Sequence, residues 1–223
     1  MLEIMLSQRK KKATYLKGNP ADYLFFADFE AAQVGSKQLP DLSPNNIILT
    51  PYSDSGANFG VVNDPVLGKC FHFNGAGYFS DMANRLNNFS VESYDIEVGF
   101  TKEIEWGSYL MATGGWDGNI APSGISIIVN ADQTQLFAMN DTNMSFTRHY
   151  GTILRPFASK FVQLLYQKRS TGLTITNLTD NIVTTSDKPN NPKDTFFSVG
   201  GYPNGNSSHH GLMKYLAIKK VIE

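Results

Sequence analysis

The sequence lacks most features that point to disulfide, nucleic-acid or membrane chemistry. It holds a single cysteine, Cys70, which excludes an intrachain disulfide. Charged residues make up only 17% of the 223 residues and the formal net charge is −1, so the concentrated positive field that nucleic-acid binding requires is missing. No apolar run approaches the roughly 20 residues that cross a bilayer. We therefore expect no nucleic-acid partner and no membrane insertion, and we expect Cys70 to be a buried structural thiol.

The residues that are present favour strands and tight turns. Aromatic residues account for 12% of the chain, and there are 19 glycines. Short apolar runs alternate with clusters of Gly, Asn, Asp, Ser and Pro at intervals of about ten residues, the spacing of an all-β domain. The clearest run, residues 89–100, places Tyr94, Ile96, Val98 and Phe100 on one face. About a dozen such runs, with no convincing amphipathic helix, predict a two-sheet antiparallel jelly-roll sandwich.

The N-terminal part of the chain differs from the rest. Residues 1–22 are predicted to form an extended arm, and residues 23–223 the sandwich domain. The arm either docks on a neighbouring subunit or is disordered, and the sequence leaves both open. Positive charges follow the short apolar start instead of preceding it, so we expect no secretion signal. The candidate docking residues are a basic cluster within the arm, Arg9, Lys10, Lys11 and Lys12.

Several phrases occur in a fixed order along the chain. An apolar-Asp-Phe-Glu phrase (residues 25–30) is followed by a Gly-Lys that leads to an apolar strand and a Gly-rich turn (68–78). A Phe-Ser-Val phrase (89–92) comes next, and a Val-Gly-Gly phrase (199–201) precedes a closing strand (211–218). Taken together, these phrases resemble the concanavalin A-like, laminin G-like superfamily. The resemblance implies an all-β jelly roll.

Some departures from the family pattern limit what the resemblance implies. The closing strand of the family often carries an Asp-Glu pair where Met213 and Lys214 stand here, and the tryptophan common in the Phe-Ser-Val strand is absent. Calcium sites of the family use Asp and Asn oxygens at the rim, and no motif of that kind supports Ca²⁺ in this sequence. We therefore predict no metal and no cofactor.

The resemblance also implies a function class. Plain modules of this type resemble bacteriophage virion proteins, such as capsid decorations and tail or fibre components. This implies a non-enzymatic structural or adhesive protein, made in the host cytoplasm and carried in the virion. Its partners would be other virion subunits or further copies of itself, and host-surface polysaccharide is a candidate ligand. The alternative is a glycoside hydrolase or lyase of the same fold. A cytosolic scaffolding domain is a third function class, and no feature of the sequence favours it.

Asp95 and Glu97 are the first residues considered for catalysis. Retaining glycoside hydrolases need two nearby carboxylates, one as nucleophile and one as general acid. Asp95 and Glu97 alternate along one strand and should share a face, but the next position on that face holds Ser93 and not a third acid. Glu103 and Glu105 follow on a predicted turn and are weaker candidates. We interpret the pair as part of a solvated sheet face and predict no catalytic residues.

The four histidines give no metal-binding pattern in the sequence. His209 and His210 are adjacent, so they cannot both face one site on a regular strand, and no third ligand lies near them. His72 alternates with two phenylalanines and is interpreted as a packed or hydrogen-bonded side chain, as is His149.

Aromatic residues beside Asn and Asp in two turns suggest a glycan site. An aromatic ring can stack on the apolar face of a sugar, and amide or carboxylate groups can bind its hydroxyls. Ordinary turn chemistry explains the same residues, since Asn-Gly and Asp-Gly favour turns. A third turn, at Asp141, is predicted to join the same rim. The predicted glycan rim consists of Trp116, Asp117, Asn119, Asp141, Tyr202, Asn204 and Asn206.

Overall fold

A computed structural model describes ten stretches of the chain: residues 19–52, 59–81, 93–103, 108–113, 124–129, 133–139, 146–152, 161–186, 197–201 and 208–223. Within them a short 3-10 helix, Pro20–Asp22, precedes fifteen strands. None of the helical structure in these stretches is long and apolar enough to cross a membrane. The strands are β1 Phe25–Asp28, β2 Thr50–Tyr52, β3 Gly60–Asp64, β4 Gly68–Asn74, β5 Tyr78–Asp81, β6 Tyr94–Phe100, β7 Ser108–Ala112, β8 Gly124–Val129, β9 Gln133–Met139, β10 Phe146–Thr152, β11 Val162–Arg169, β12 Gly172–Asn177, β13 Ile182–Ser186, β14 Phe197–Val199 and β15 His210–Lys220.

These strands form two antiparallel sheets, which confirms the predicted all-β sandwich of jelly-roll type. The eight-stranded sheet has the order β13-β12-β11-β6-β15-β4-β3, with β1 paired to the second half of β15. The seven-stranded sheet has the order β10-β9-β8-β7-β14-β5-β2. Non-consecutive neighbours in both orders mean that the chain crosses repeatedly between the sheets.

A single large apolar cluster fills the space between the sheets. The alternation predicted for β6 holds, since Tyr94, Ile96, Val98 and Phe100 are all buried in this cluster. Aromatic rings form its centre: Phe59 lies within 4.9 Å of Phe71 and 5.5 Å of Phe79, measured between ring centroids. The first contact is edge-on and the second is stacked, and aromatic pairs of both kinds add to the free energy of burial.

A register shift in β15 changes which of its side chains point into the core and which point to the outer face of the eight-stranded sheet. The pairing of β15 with β6 skips Lys214, between Met213 and Tyr215. Met213 before the shift and Leu216 after it both lie in the core cluster. A bulge of this kind places one extra residue on the strand and changes the phase of its side chains. Lys214 and Tyr215 consequently both lie outside the core.

The apolar run at residues 45–50 has the composition of a strand, but only Thr50 enters one. The carboxylate of Asp41 accepts hydrogen bonds from the backbone amides of Phe26, Ser43 and Ile47, at 2.7–2.9 Å. The amide of Ile47 is therefore committed to a side chain and not to a ladder. Ile47 is still buried, which explains why its apolar neighbourhood resembles a strand.

Gly200 provides a test of how tightly the two sheets pack. Its φ is +76°, and a Cβ there would lie 1.9 Å from Cε1 of Phe73, whose ring is packed against Phe71 and Phe79. We expect Gly200→Ala to lower the free energy of unfolding by about 3 kcal/mol or more, since strain and overpacking add. The matched control is Gly35→Ala, with φ +85° and nothing within 4 Å, which should cost only about 1 kcal/mol.

Urea unfolding of both variants measures the difference. Equal losses of stability would contradict the close packing of Gly200 on Phe73.

Candidate functional site

Both carboxylates considered for catalysis lie on the outer face of the eight-stranded sheet, the face turned away from the core. Asp95 and Glu97 alternate on β6 with core residues. In the ladder, Gln167 of β11 lies opposite Asp95 and Ala217 of β15 lies opposite Glu97. Residues directly opposite each other in a sheet share a face. The prediction that Asp95 and Glu97 share one face is confirmed.

Glu97 is almost enclosed although it lies on the outer face, with 8% of the residue exposed. The hydroxyl of Tyr215 donates to Oε1 of Glu97 over 2.8 Å and accepts from Nε2 of Gln163 at 2.9 Å. Gly99 makes room for the tyrosine ring, because a Cβ there would lie 2.6 Å from Cε1 of Tyr215. Burial raises the pKa of Glu97 to about 7, the hydrogen bond from Tyr215 lowers it, and the charge of Asp95 raises it.

Asp95 is held in an ion pair and is more accessible than Glu97. Its Oδ1 lies 2.7 Å from Nη2 of Arg169, and each of these side chains is 29% exposed. Nε2 of Gln167 approaches the same oxygen at 3.4 Å. The interpretation of a solvated sheet face therefore fits Asp95 and does not fit Glu97. Ser93, two residues before Asp95, donates a hydrogen bond to Glu223.

His209 and His210 point to opposite sides, as their adjacency predicts. His209 is fully buried, with its Nδ1 3.3 Å from Oγ of Ser108 and its ring edge-on to Phe73. Burial lowers the pKa of His209 to about 3, so it is neutral at ordinary pH. His210 lies on the outer face, with a third of its side chain exposed.

Three side chains from distant parts of the chain converge at the start of β15. Nε2 of His72 lies 3.2 Å from Oε1 of Glu103, and Nε2 of His210 lies 3.2 Å from Oε2 of the same carboxylate. The candidate ligand atoms of the three residues all lie within 4.8 Å of one another. We call this group the His–Glu–His cluster. Sequence reasoning weighed each of the three residues separately and missed the cluster, because the register of β15 against β4 brings them together.

Cys70 is a free, fully buried thiol, as predicted. Burial raises its pKa to about 12, with the charge of Lys214 acting in the opposite direction. A thiol of this kind is a poor nucleophile at neutral pH.

The predicted glycan rim and the predicted docking cluster lie outside the described residues. This applies to Glu105 and to the side chain of His149 as well. The rim residues are Trp116, Asp117, Asn119, Asp141, Tyr202, Asn204 and Asn206, and the docking residues are Arg9, Lys10, Lys11 and Lys12.

The strand ends that flank the rim residues are described, and they are not all at one edge. Gly124, the first residue of β8, pairs with Met139, the last residue of β9. The chain therefore enters β8 after Trp116 and leaves β9 before Asp141 at the same end of the seven-stranded sheet. β14 runs antiparallel to β7, so its last residue, which leads to Tyr202, points toward the other end.

Comparison with known proteins supports the fold and gives no family. No family model matches the sequence, and no curated protein matches it. Among solved structures, domain 4 of a GH43 extracellular arabinanase from Geobacillus stearothermophilus, in complex with arabinotriose, aligns with a TM-score of 0.59 and 15% identity. The alignment covers 90% of this chain and 93% of that domain.

Two other structures are similar at the same level. The receptor-binding domain of botulinum neurotoxin mosaic serotype C/D aligns with a TM-score of 0.64 and 9% identity over 92% of this chain, which spans about half of that protein (49%). A carbohydrate esterase from the Shiga toxin-encoding bacteriophage phi24B aligns with a TM-score of 0.51 and 13% identity, covering 90% of this chain and 99% of that one. At these identities the likeness establishes the β-sandwich fold alone.

The environment of Glu97 predicts a pH-dependent stability. The folded pKa of about 7 lies above the ordinary value of 4.5, so the stabilisation is complete below pH 4.5 and is lost as the pH rises through 7. The shift corresponds to about 3 kcal/mol. Glu97→Gln, which mimics the protonated acid, should remove this loss, and Tyr215→Phe should move it to higher pH because it removes a donor to the carboxylate.

Urea unfolding from about pH 5 to about pH 9 tests the prediction. A wild-type stability that does not fall over this range relative to Glu97→Gln would show that Glu97 is ionised throughout.

Proposed function

We propose that this chain is a glycan-binding β-sandwich module without catalytic activity. The observation that carries the proposal is the likeness to the arabinanase domain, which extends over nearly the whole of both chains and whose structure holds arabinotriose. The predicted rim adds support from the sequence, since it combines Trp116 with the carboxylates of Asp117 and Asp141. Rings and carboxylates in this combination bind the apolar face and the hydroxyls of a sugar.

The outer face of the eight-stranded sheet supports the absence of catalysis. A retaining hydrolase needs one carboxylate free to attack and a second free to protonate the leaving group. Asp95 is neutralised by Arg169 at 2.7 Å, and Glu97 is enclosed beneath Tyr215 with little access for a substrate. Neither side chain is in a position to take its role without rearrangement.

The setting that we propose for the module is a bacteriophage virion, in which it would be a capsid decoration or a tail or fibre component. Support comes from the resemblance to concanavalin A-like, laminin G-like modules of such particles and from the similar fold of a phage carbohydrate esterase. The partners would be virion subunits or further copies of the chain, and the ligand a host-surface polysaccharide.

A glycoside hydrolase or lyase is the second candidate, and one observation favours it. Glu97, with a pKa of about 7, holds a proton near neutral pH, as a general acid must. Turnover of any polysaccharide that is lost in both Glu97→Gln and Asp95→Asn would establish the second candidate in place of the first.

The glycan proposal is tested by screening the purified protein on a polysaccharide and glycan array, then measuring affinities for the retained sugars by calorimetry. We expect Trp116→Ala and Asp141→Ala to weaken binding at least about tenfold, since an aromatic anchor and a hydroxyl acceptor are removed. Tyr202→Ala should have a smaller effect, because its strand end points away from the other two.

Tyr52→Ala is the matched control, since Tyr52 is an exposed aromatic residue outside the predicted rim. No retained sugar, or equal losses in Tyr52→Ala and Trp116→Ala, would contradict a glycan site at the rim.

The assembly proposal is tested by light scattering of the full chain and of a variant that lacks residues 1–22. A defined oligomer that becomes a monomer on truncation would support docking through the arm and its basic cluster. Monomers in both cases would rule out self-assembly through the arm, and docking on another virion subunit would then have to be tested with that subunit.

A further inference from the structure

We propose that the His–Glu–His cluster, formed by His72, Glu103 and His210, is a binding site for one divalent transition-metal ion of the Zn²⁺ type, with a coordination position open to solvent. The cluster shares no residue with the predicted glycan rim, and neither the fold likeness nor the proposed function requires it.

The distances in the cluster suit a small metal ion. Zinc binds imidazole nitrogen and carboxylate oxygen at about 2.0–2.2 Å, so neighbouring ligand atoms of a tetrahedral site lie roughly 3.3 Å apart. Each imidazole approaches one oxygen of the Glu103 carboxylate at 3.2 Å, Nε2 of His72 at Oε1 and Nε2 of His210 at Oε2. All three ligand atoms fall within 4.8 Å of one another, so a small approach of His72 and His210 completes the site.

The donor set selects the class of metal. Two imidazoles and one carboxylate suit Zn²⁺, Co²⁺, Ni²⁺ or Cu²⁺, whereas Ca²⁺ and Mg²⁺ prefer sites made of oxygen. The cluster therefore differs in kind from the calcium sites of the family that the sequence resembles. It also differs from the sequence prediction of no metal, which considered only ligands near His210 in sequence.

The backbone holds the three ligands in place before any ion binds. The amide of Glu103 donates to the carbonyl of His210 over 2.9 Å. In the β4–β15 ladder, His72 lies opposite Leu212, whose amide and carbonyl both bond to Thr101. Ligands fixed on paired strands lose little conformational entropy on binding a metal.

The cluster is also accessible. The side chains of His72, His210 and Glu103 are 14%, 33% and 37% exposed, so an ion can enter from solvent. Three protein ligands leave a position for water or for an oxygen of an external ligand.

A carboxylate can only accept hydrogen bonds, so in the metal-free protein Nε2 of His72 and of His210 each carries the proton shared with Glu103. Binding a metal through Nε2 displaces that proton, which leaves to solvent or moves to Nδ1 by way of solvent. No redox step is involved.

The experiment titrates the untagged full chain with Zn²⁺ by calorimetry and with Co²⁺ by visible absorption, with Ca²⁺ as a comparison ion. We expect one equivalent of Zn²⁺ or Co²⁺ per chain and no response to Ca²⁺. His72→Asn, Glu103→Gln and His210→Asn should each weaken binding at least about tenfold. The matched control is His149→Gln on β10 of the other sheet, which should bind as the wild type does.

A measurement on the wild type alone guards against variants that fail to fold. Paramagnetic Co²⁺ should shift the imidazole NMR signals of His72 and His210 and leave those of His149 in place. No binding up to about 1 mM metal, equal weakening in His149→Gln, or Co²⁺ shifts confined to other residues would overturn the proposal. Loss of glycan binding in the Trp116 variant would leave it unaffected, so the two proposals fail independently.

Discussion

The register shift in β15 is the constraint on which both the core and the outer face depend. β15 is the longest strand described, and it pairs with β6 on one side and with β4 and then β1 on the other. Without the shift at Lys214, strict alternation would turn either Met213 or Leu216 out of the core. With it, both stay buried, and His210 and Tyr215 both reach the outer face. The hydrogen bond between Tyr215 and Glu97 and the His–Glu–His cluster therefore both depend on β15.

Local patterns in the sequence were enough to predict the fold class. The alternation in β6 and the burial of Cys70 both follow from residue type and spacing, because neighbours in sequence decide them. The sequence did not predict how the chain passes between the two sheets. The Gly-rich turn that contains Gly75, whose φ is +80°, connects β4 and β5, and these two strands belong to different sheets. Which sheet a strand joins is decided by distant partners.

The same distinction explains what could be predicted of the candidate sites. Asp95 and Glu97 share a face because they alternate on one strand. Their difference in exposure depends on Tyr215, more than a hundred residues away. Neither His72 nor His210 was predicted to bind a metal, since the ladder between β4 and β15 that joins them carries no short sequence motif. Sites formed by residues from distant strands could therefore not be predicted from the sequence.

The central claim is that the module binds a glycan at the loops of the seven-stranded sheet and does not act on one at the outer face of the other sheet. An NMR titration with a retained sugar tests it most directly. The account predicts that amide signals of residues 114–123 and 140–145 move on binding, while those of β6, β11 and β15 stay in place. Shifts centred on Asp95, Glu97 and Tyr215 would contradict the account and would place a sugar against the two carboxylates.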